Sequence, residues 1–375
     1  MATPSQGPQA DYERAEPGPA AEPPPQQTRT APEAPLAWPG DAEVRIVLWG
    51  PTFSGKTTFL GALFLAPERL EGFGTWNIIP LSHESSLFQR AIVKTLEDGH
   101  AFPPKTLTEG KPLAWRFVGD LVGSGHSRRL MPFRVPSRLR GGGWNRSGDT
   151  VTFTLHIQDL PGEAYDFSKP YPNQNAIIRH LAEANALIYL HDPLRDADEF
   201  EALTMGFFRD MTEALQTYDP DKLIKGRLHH HVATCVTKFD HPAIYREALK
   251  QTFALCDPEP PHVPRVTDEN GKAFFAWICD LYRDEGVNYM RAALETKFLP
   301  HRVRYYATSA IGFYQKDGQV NLDDCVNSGP VPDPVTGKMV NGIRGPLHPI
   351  NVLEPLVNLA MAVRKAKPGT PGGGR

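Results

Sequence analysis

The stretch Val44 to Thr58, VRIVLWGPTFSGKTT, sets Gly50, Gly55, Lys56 and Thr57 at the spacing G-x-x-x-x-G-K-[ST]. A loop of that spacing curls so that successive backbone N–H groups point inward at a phosphate, and the glycines permit the path. Lys56 can then reach the β- and γ-oxygens of a nucleotide, and the Thr57 hydroxyl can ligate Mg2+ at the first turn of the next helix. The N-terminal partial charge of that helix favours the same anion. The predicted phosphate cradle is Gly50, Pro51, Thr52, Phe53, Ser54, Gly55, Lys56, Thr57 and Thr58. A glycine-rich turn that binds nothing is the alternative. The flanks decide against it, with an apolar strand before the loop and an apolar helix after it.

Three more short motifs follow predicted strands. Asp159-Leu160-Pro161-Gly162 comes directly after one. Asp159 is placed to hold Mg2+ through water opposite Thr57, and Gly162 lets a backbone N–H approach a terminal phosphate without a side chain in the way. Such a loop has two arrangements, according to whether that phosphate is present. Thr237-Lys238-Phe239-Asp240 supplies base selection. A carboxylate accepts two hydrogen bonds from the N1–H and exocyclic amine of guanine, a pair adenine does not offer. Lys238 would lay its aliphatic stem along the base. Ser309-Ala310 would bring a backbone N–H to the guanine carbonyl oxygen. The implied ligands are GTP or GDP with Mg2+.

The elements that must position these residues alternate between strand and helix. Val44 to Trp49 reads as a buried parallel strand, and Thr57 to Leu65 as a helix stopped before Pro67. A helix is predicted at Glu84 to Leu96, with Leu87, Ala91, Ile92 and Leu96 on its apolar face. A strand follows at Leu113 to Val118. Val151 to Gln158 alternates strictly, which predicts a strand with its second face more polar. Further strands are expected at Ala186 to Leu190, His231 to Val236 and Arg302 to Ala307. Further helices are expected at Asp198 to Thr217, Tyr245 to Phe253, Lys272 to Phe298 and Leu353 to Lys365. The fold class is α/β, a three-layer P-loop NTPase fold whose mostly parallel sheet carries helices on both faces, with two helical or irregular insertions. Ligands of such a sheet belong at the carboxyl ends of its strands, where each motif sits.

Composition bounds the rest. The chain has 375 residues, enough for one large domain and its core. Its formal net charge of -3 argues against general nucleic-acid binding. Cys235, Cys256, Cys279 and Cys325 are widely spaced, which suits reduced thiols rather than a disulfide framework or zinc site. No apolar run reaches transmembrane length and no signal peptide is evident, so a cytoplasmic protein without membrane insertion is expected. Residues 1–41 are Pro-rich and read as a disordered tail, and 367–375 as a flexible one. The domain is expected at 42–366, with insertions at about 68–149 and 241–300. Arg128 to Arg140 reads as a solvated, basic part of the first insertion. His229, His230 and His231 look like a metal site, but adjacent strand residues face opposite ways and cannot converge on one ion.

With these motifs in order, GPTFSGKT, DLPG, TKFD and TSA (Thr308 to Ala310), the chain resembles the Ras-like, or TRAFAC-class, P-loop GTPases. It resembles more loosely the bacterial double-GTPase-like proteins. The resemblance spans roughly residues 43–365. It implies GTP hydrolysis, Lys56, Gly162 and Glu163 as catalytic residues, and a switch role with a protein activator or effector. It also implies a threonine that completes the Mg2+ shell, for which Thr106 in the Pro103 to Thr106 loop is chosen over Thr108. Departures matter: Thr237 stands where the family most often has asparagine, Thr52 where it often has glycine, and Glu163 where many members have glutamine. A carboxylate beside a triphosphate meets like-charge repulsion, which implies slow intrinsic hydrolysis. Two rivals stay open. One is a nucleotide-holding scaffold with little turnover, and the other is a P-loop ATPase or kinase-like enzyme.

Overall fold

A strand with an unbroken apolar interior needs cover on both faces. In the computed structural model, which describes residues 44–51, 54–69, 75–98, 100–103, 113–120, 150–157, 174–194, 197–281, 285–333 and 336–366, that cover is complete. The chain runs β1 (Arg45–Trp49), α1 (Lys56–Arg69), β2 (Thr75–Pro80), α2 (His83–Glu97), β3 (Leu113–Asp120), β4 (Thr150–Ile157), α3 (Gln174–Glu183) and β5 (Ala186–His191). It continues α4 (Ala197–Tyr218), β6 (His231–Val236), α5 (Pro242–Lys250), β7 (Ala254–Cys256), β8 (Pro264–Val266), α6 (Gly271–Leu281) and α7 (Glu285–Lys297). The last elements are β9 (Val303–Ala307), β10 (Ser328–Pro332), β11 (Met339–Ile343) and α8 (Glu354–Ala366).

Seven strands form the main sheet in the order β2-β3-β4-β1-β5-β6-β9. From β4 to β9 every pairing is parallel, and β2 and β3 join antiparallel at one edge. Side chains on a strand alternate between faces, so the sheet divides the core in two. Ile46, Leu48, Ile188 and Cys235 pack with α1 and α8, where Leu356, Leu359, Ala360 and Val363 are buried. Val47, Trp49, Leu187 and Tyr189 pack with α3 through α7. The Trp49 ring lies 4.8 Å from Tyr189 and 5.2 Å from Phe208 of α4, the heaviest contacts beneath the end of β1. Among the described residues, no helix is long and apolar enough to cross a membrane.

Some expectations change in detail. The first helix does not stop before Pro67 but runs to Arg69, with Pro67 inside its last turns. Proline removes one backbone bond there, and the buried Phe64, Leu65 and Ala66 hold the turn in its place. On α2 the buried stripe is Ser85, Ile92 and Leu96, while Leu87 is 50% exposed and Ala91 is exposed. The helical period holds and the buried face is rotated, because Ser85 turns inward to accept the Ala114 amide of β3 at 2.9 Å. The more polar face of β4 is itself largely covered, since Thr154 and His156 are as buried as Phe153 and Leu155. His156 stacks within 5.1 Å of His180 on α3, and burial, with the charges of His180 and Arg45, pulls its pKa down to about 3. The helix expected at Lys272 to Phe298 is two helices, α6 and α7.

The stretch 68–149 supplies β2, α2 and β3, so it widens the sheet as well as interrupting the chain. The stretch 241–300 supplies α5, the β7–β8 pair, α6 and α7. The tails read at 1–41 and 367–375, and the basic run Arg128 to Arg140, lie outside the described residues.

Candidate nucleotide site

The phosphate loop leaves β1 at Gly50, and that position needs glycine. A Cβ there would lie 2.8 Å from Ser54 Oγ and 2.9 Å from Leu190 O of β5. Gly55 has φ +85°, a left-handed conformation that other residues rarely adopt. Lys56 opens α1, is only 8% exposed, and turns its ammonium back into the loop. It donates to Gly50 O at 2.8 Å and Pro51 O at 2.9 Å. The buried Ser54 hydroxyl has no hydrogen-bond partner among the described residues. Thr57 and Thr58 are half-buried on the first turn of α1, whose ladder begins with Phe59 N donating to Gly55 O at 2.8 Å. Thr52 and Phe53 lie outside the described residues.

The base-side motifs meet at the neighbouring strand ends. Parallel register aligns Trp49 with Tyr189, His191 with Val236, and Val236 with Ala307, so β1, β5, β6 and β9 end along one sheet edge. Past these ends the loops are tied crosswise. Thr237 donates to His191 O through its amide at 2.8 Å and its hydroxyl at 3.1 Å. Thr308 donates to Val236 O in the same two ways, at 2.7 and 3.1 Å, and Phe239 N reaches Thr308 O at 3.0 Å. A loop held this way presents Asp240 at the edge while keeping the residue only 6% exposed.

The Ser309 hydroxyl donates to Asp240 Oδ1 and in turn accepts the Gly312 amide at 2.8 Å. Gly312 has φ +66°, and a Cβ there would fall on His348 O, so no other residue fits that turn. The Ser309 amide is spent on Ile350 O at 3.0 Å, which leaves the amide of the half-buried Ala310 as the one of this pair for a ligand. Burial pushes the Asp240 carboxyl up to about 6, against the opposing pull of the Ser309 hydrogen bond. Lys238 sits at φ 58° with its side chain half exposed.

Asp159, Gly162, Glu163 and Thr106 lie outside the described residues. Asp192 and Gly312, which belong to none of the motifs above, also stand at this rim. Their signals were weak but present: an acidic residue directly after a buried strand, and a glycine three positions beyond Ser309. At the opposite end of β6, His230 places Nε2 at 3.0 Å from Leu181 O, and Arg302 donates to His229 O. Burial holds His230 down to about 3 and His231 down to about 4, so neither is charged at neutral pH.

No protein-family model and no curated protein matches the chain. Solved structures that it resembles include the signal recognition particle receptor SRb-GTP/SRX complex from Chaetomium thermophilum. That match has 14% identity and a TM-score of 0.32, over 73% of this chain and 93% of the other. The GTP-bound Ski7 GTPase-like domain of S. cerevisiae matches at 14% identity and a TM-score of 0.34, over 87% of this chain. The chain spans about half (51%) of that Ski7 chain's length. At these scores the α/β assignment rests on the sheet order and register.

Proposed function

We propose that this chain binds GTP and GDP with Mg2+ through the loops past β1, β6 and β9, and hydrolyses GTP as a cytoplasmic switch. The observation that carries the reading is the shared sheet edge. A phosphate-type loop with an inward lysine and a buried, hydroxyl-clipped carboxylate stand there on strands two positions apart. The residues present suit a nucleotide. A Cβ at Gly50 would press on Ser54 and on Leu190 O, and Ser54 keeps an unspent hydroxyl. Lys56 would trade the Gly50 and Pro51 carbonyls for phosphate oxygens. Asp240 would accept the N1–H and exocyclic amine of guanine, Lys238 would flank the base, and Thr237, Ser309 and Ala310 would shape the base loop. Thr57, Asp159 and Thr106 would hold Mg2+, which when bound supplies charge neutralisation between the phosphates. Gly162 would donate its amide to the terminal phosphate and Glu163 would orient the attacking water. We propose that a protein activator compensates for that carboxylate, with the domain at 42–366.

Asp240 gives this reading a pH signature. A carboxyl raised above its unfolded value makes the folded state take up a proton, so folding is favoured as pH falls through 6 and disfavoured once the group ionises. Base binding needs the ionised form. GDP affinity is therefore expected to hold from pH 8 to 7 and to fall as pH drops through 6. At pH 5 the loss should be about tenfold, the fraction left ionised one unit below that pKa. Fluorescence titration of GDP across this range tests it, and affinity that stays flat down to pH 5 contradicts the assigned role of Asp240.

A further inference from the structure

One strand end holds the base loop by two separate grips. The first is His191 O, which accepts both donors of Thr237. The second is Asp192, the next residue, whose Oδ2 lies 2.5 Å from Lys238 Nζ. Its Oδ1 accepts the Leu194 amide at 3.0 Å, so the carboxylate is itself fixed. The Asp192 side chain is 1% exposed and that of Lys238 is 48% exposed. Burying a carboxylate carries a desolvation cost, and an ion pair with a half-exposed lysine returns little stability. The lasting consequence of the pair is orientation. Lys238 is pinned at its backbone, at φ 58° with its carbonyl taken by the His241 amide at 2.9 Å, and pinned again at its ammonium. The four-carbon stem between these points is held as an aliphatic edge two residues from Asp240. Thr237 cannot take over this work, because its one hydroxyl proton is spent on His191 O.

We propose that Asp192 is a positioning residue for the nucleotide base. It acts through Lys238 without touching the ligand, and it ties the base loop to the end of β5. The proposal rests on the guanine-nucleotide reading above.

The test is a double-mutant cycle on the full chain, with GDP affinity from fluorescence titration and melting temperature measured side by side. Asp192→Asn keeps the acceptor for Leu194 and removes the charge. Asp192→Asn and Lys238→Met are each expected to weaken GDP binding about tenfold, and the double variant no further than the worse single one. Lys238→Arg, which keeps a cation within reach of Asp192, should lose less affinity than Lys238→Met with Asp192 present, and should lose that advantage with Asn there. Parental affinity in Asp192→Asn, or losses that add, overturns the proposal. So does a lowered melting temperature with unchanged GDP affinity, the mark of a purely structural pair. If Asp192→Asn does not fold, Lys238→Met with Lys238→Arg decides, and equal affinity in both contradicts the idea. A parent that binds no GDP at all overturns the reading of the site, and this proposal with it.

Discussion

Lys56→Ala is expected to reduce GTP and GDP affinity by at least about 100-fold and to bring hydrolysis to background. The ammonium already makes two contacts, to Gly50 O and Pro51 O, from a position that is nearly buried. Hydrogen bonds to a charged group contribute roughly 1.5–3 kcal/mol each. Moving two such bonds onto phosphate oxygens and then deleting them corresponds to a loss on the order of 100-fold or more. Stability should fall as well, because Gly50 O and Pro51 O are buried and lose their donor. Calorimetric titration beside thermal melting separates the effects. A variant that melts near the parent and binds GDP as tightly would contradict the assignment of this loop to phosphate.

The second large effect is a change of base preference. Asp240→Asn keeps the size of the side chain and an acceptor for the Ser309 hydroxyl, so the clip to Gly312 survives. It replaces a two-fold acceptor by one acceptor and one donor. Guanine then loses a partner for its exocyclic amine, whereas xanthine, with an oxygen there, gains one. GDP affinity is expected to drop by up to about 100-fold, the upper end of the roughly 1.5–3 kcal/mol that one hydrogen bond to a charged group contributes. Xanthosine diphosphate should bind better than in the parent, and the fall in affinity below pH 6 should disappear. Competition titration of the two nucleotides measures this. Unchanged GDP preference would sink the role given to Asp240.

Much of this architecture is legible in sequence because the strands are short apolar runs that end in glycine or polar residues. RIVLW, ALIYLH and HVATCV need no partner to be recognised, and their ends place the motifs. Edges and faces are harder. TWNIIP at β2 is too short and mixed to declare its inward face, which is set by α1, α2 and β4, where Trp76 lies 5.8 Å from Phe153. Leu87 falls on the apolar period yet is exposed, because a serine hydroxyl helps choose the inward face of α2. The polar second face of β4 is buried for a tertiary reason, as His156 meets His180 of α3, 24 positions farther along the chain. At the site, Lys56, Asp240 and Ser309 are readable from spacing. Asp192 is not, because its meaning depends on parallel register between β5 and β6, which brings positions 192 and 238 together.

The edge formed by β1, β5, β6 and β9 is proposed to select a guanine nucleotide. Calorimetric titration of the purified full chain with GDP, GTP and ATP in the presence of Mg2+ tests it most directly. Saturable one-to-one binding of GDP and GTP, with ATP at least about 100-fold weaker, is the predicted result. Equal or tighter binding of ATP, or no binding of any of the three, would contradict it.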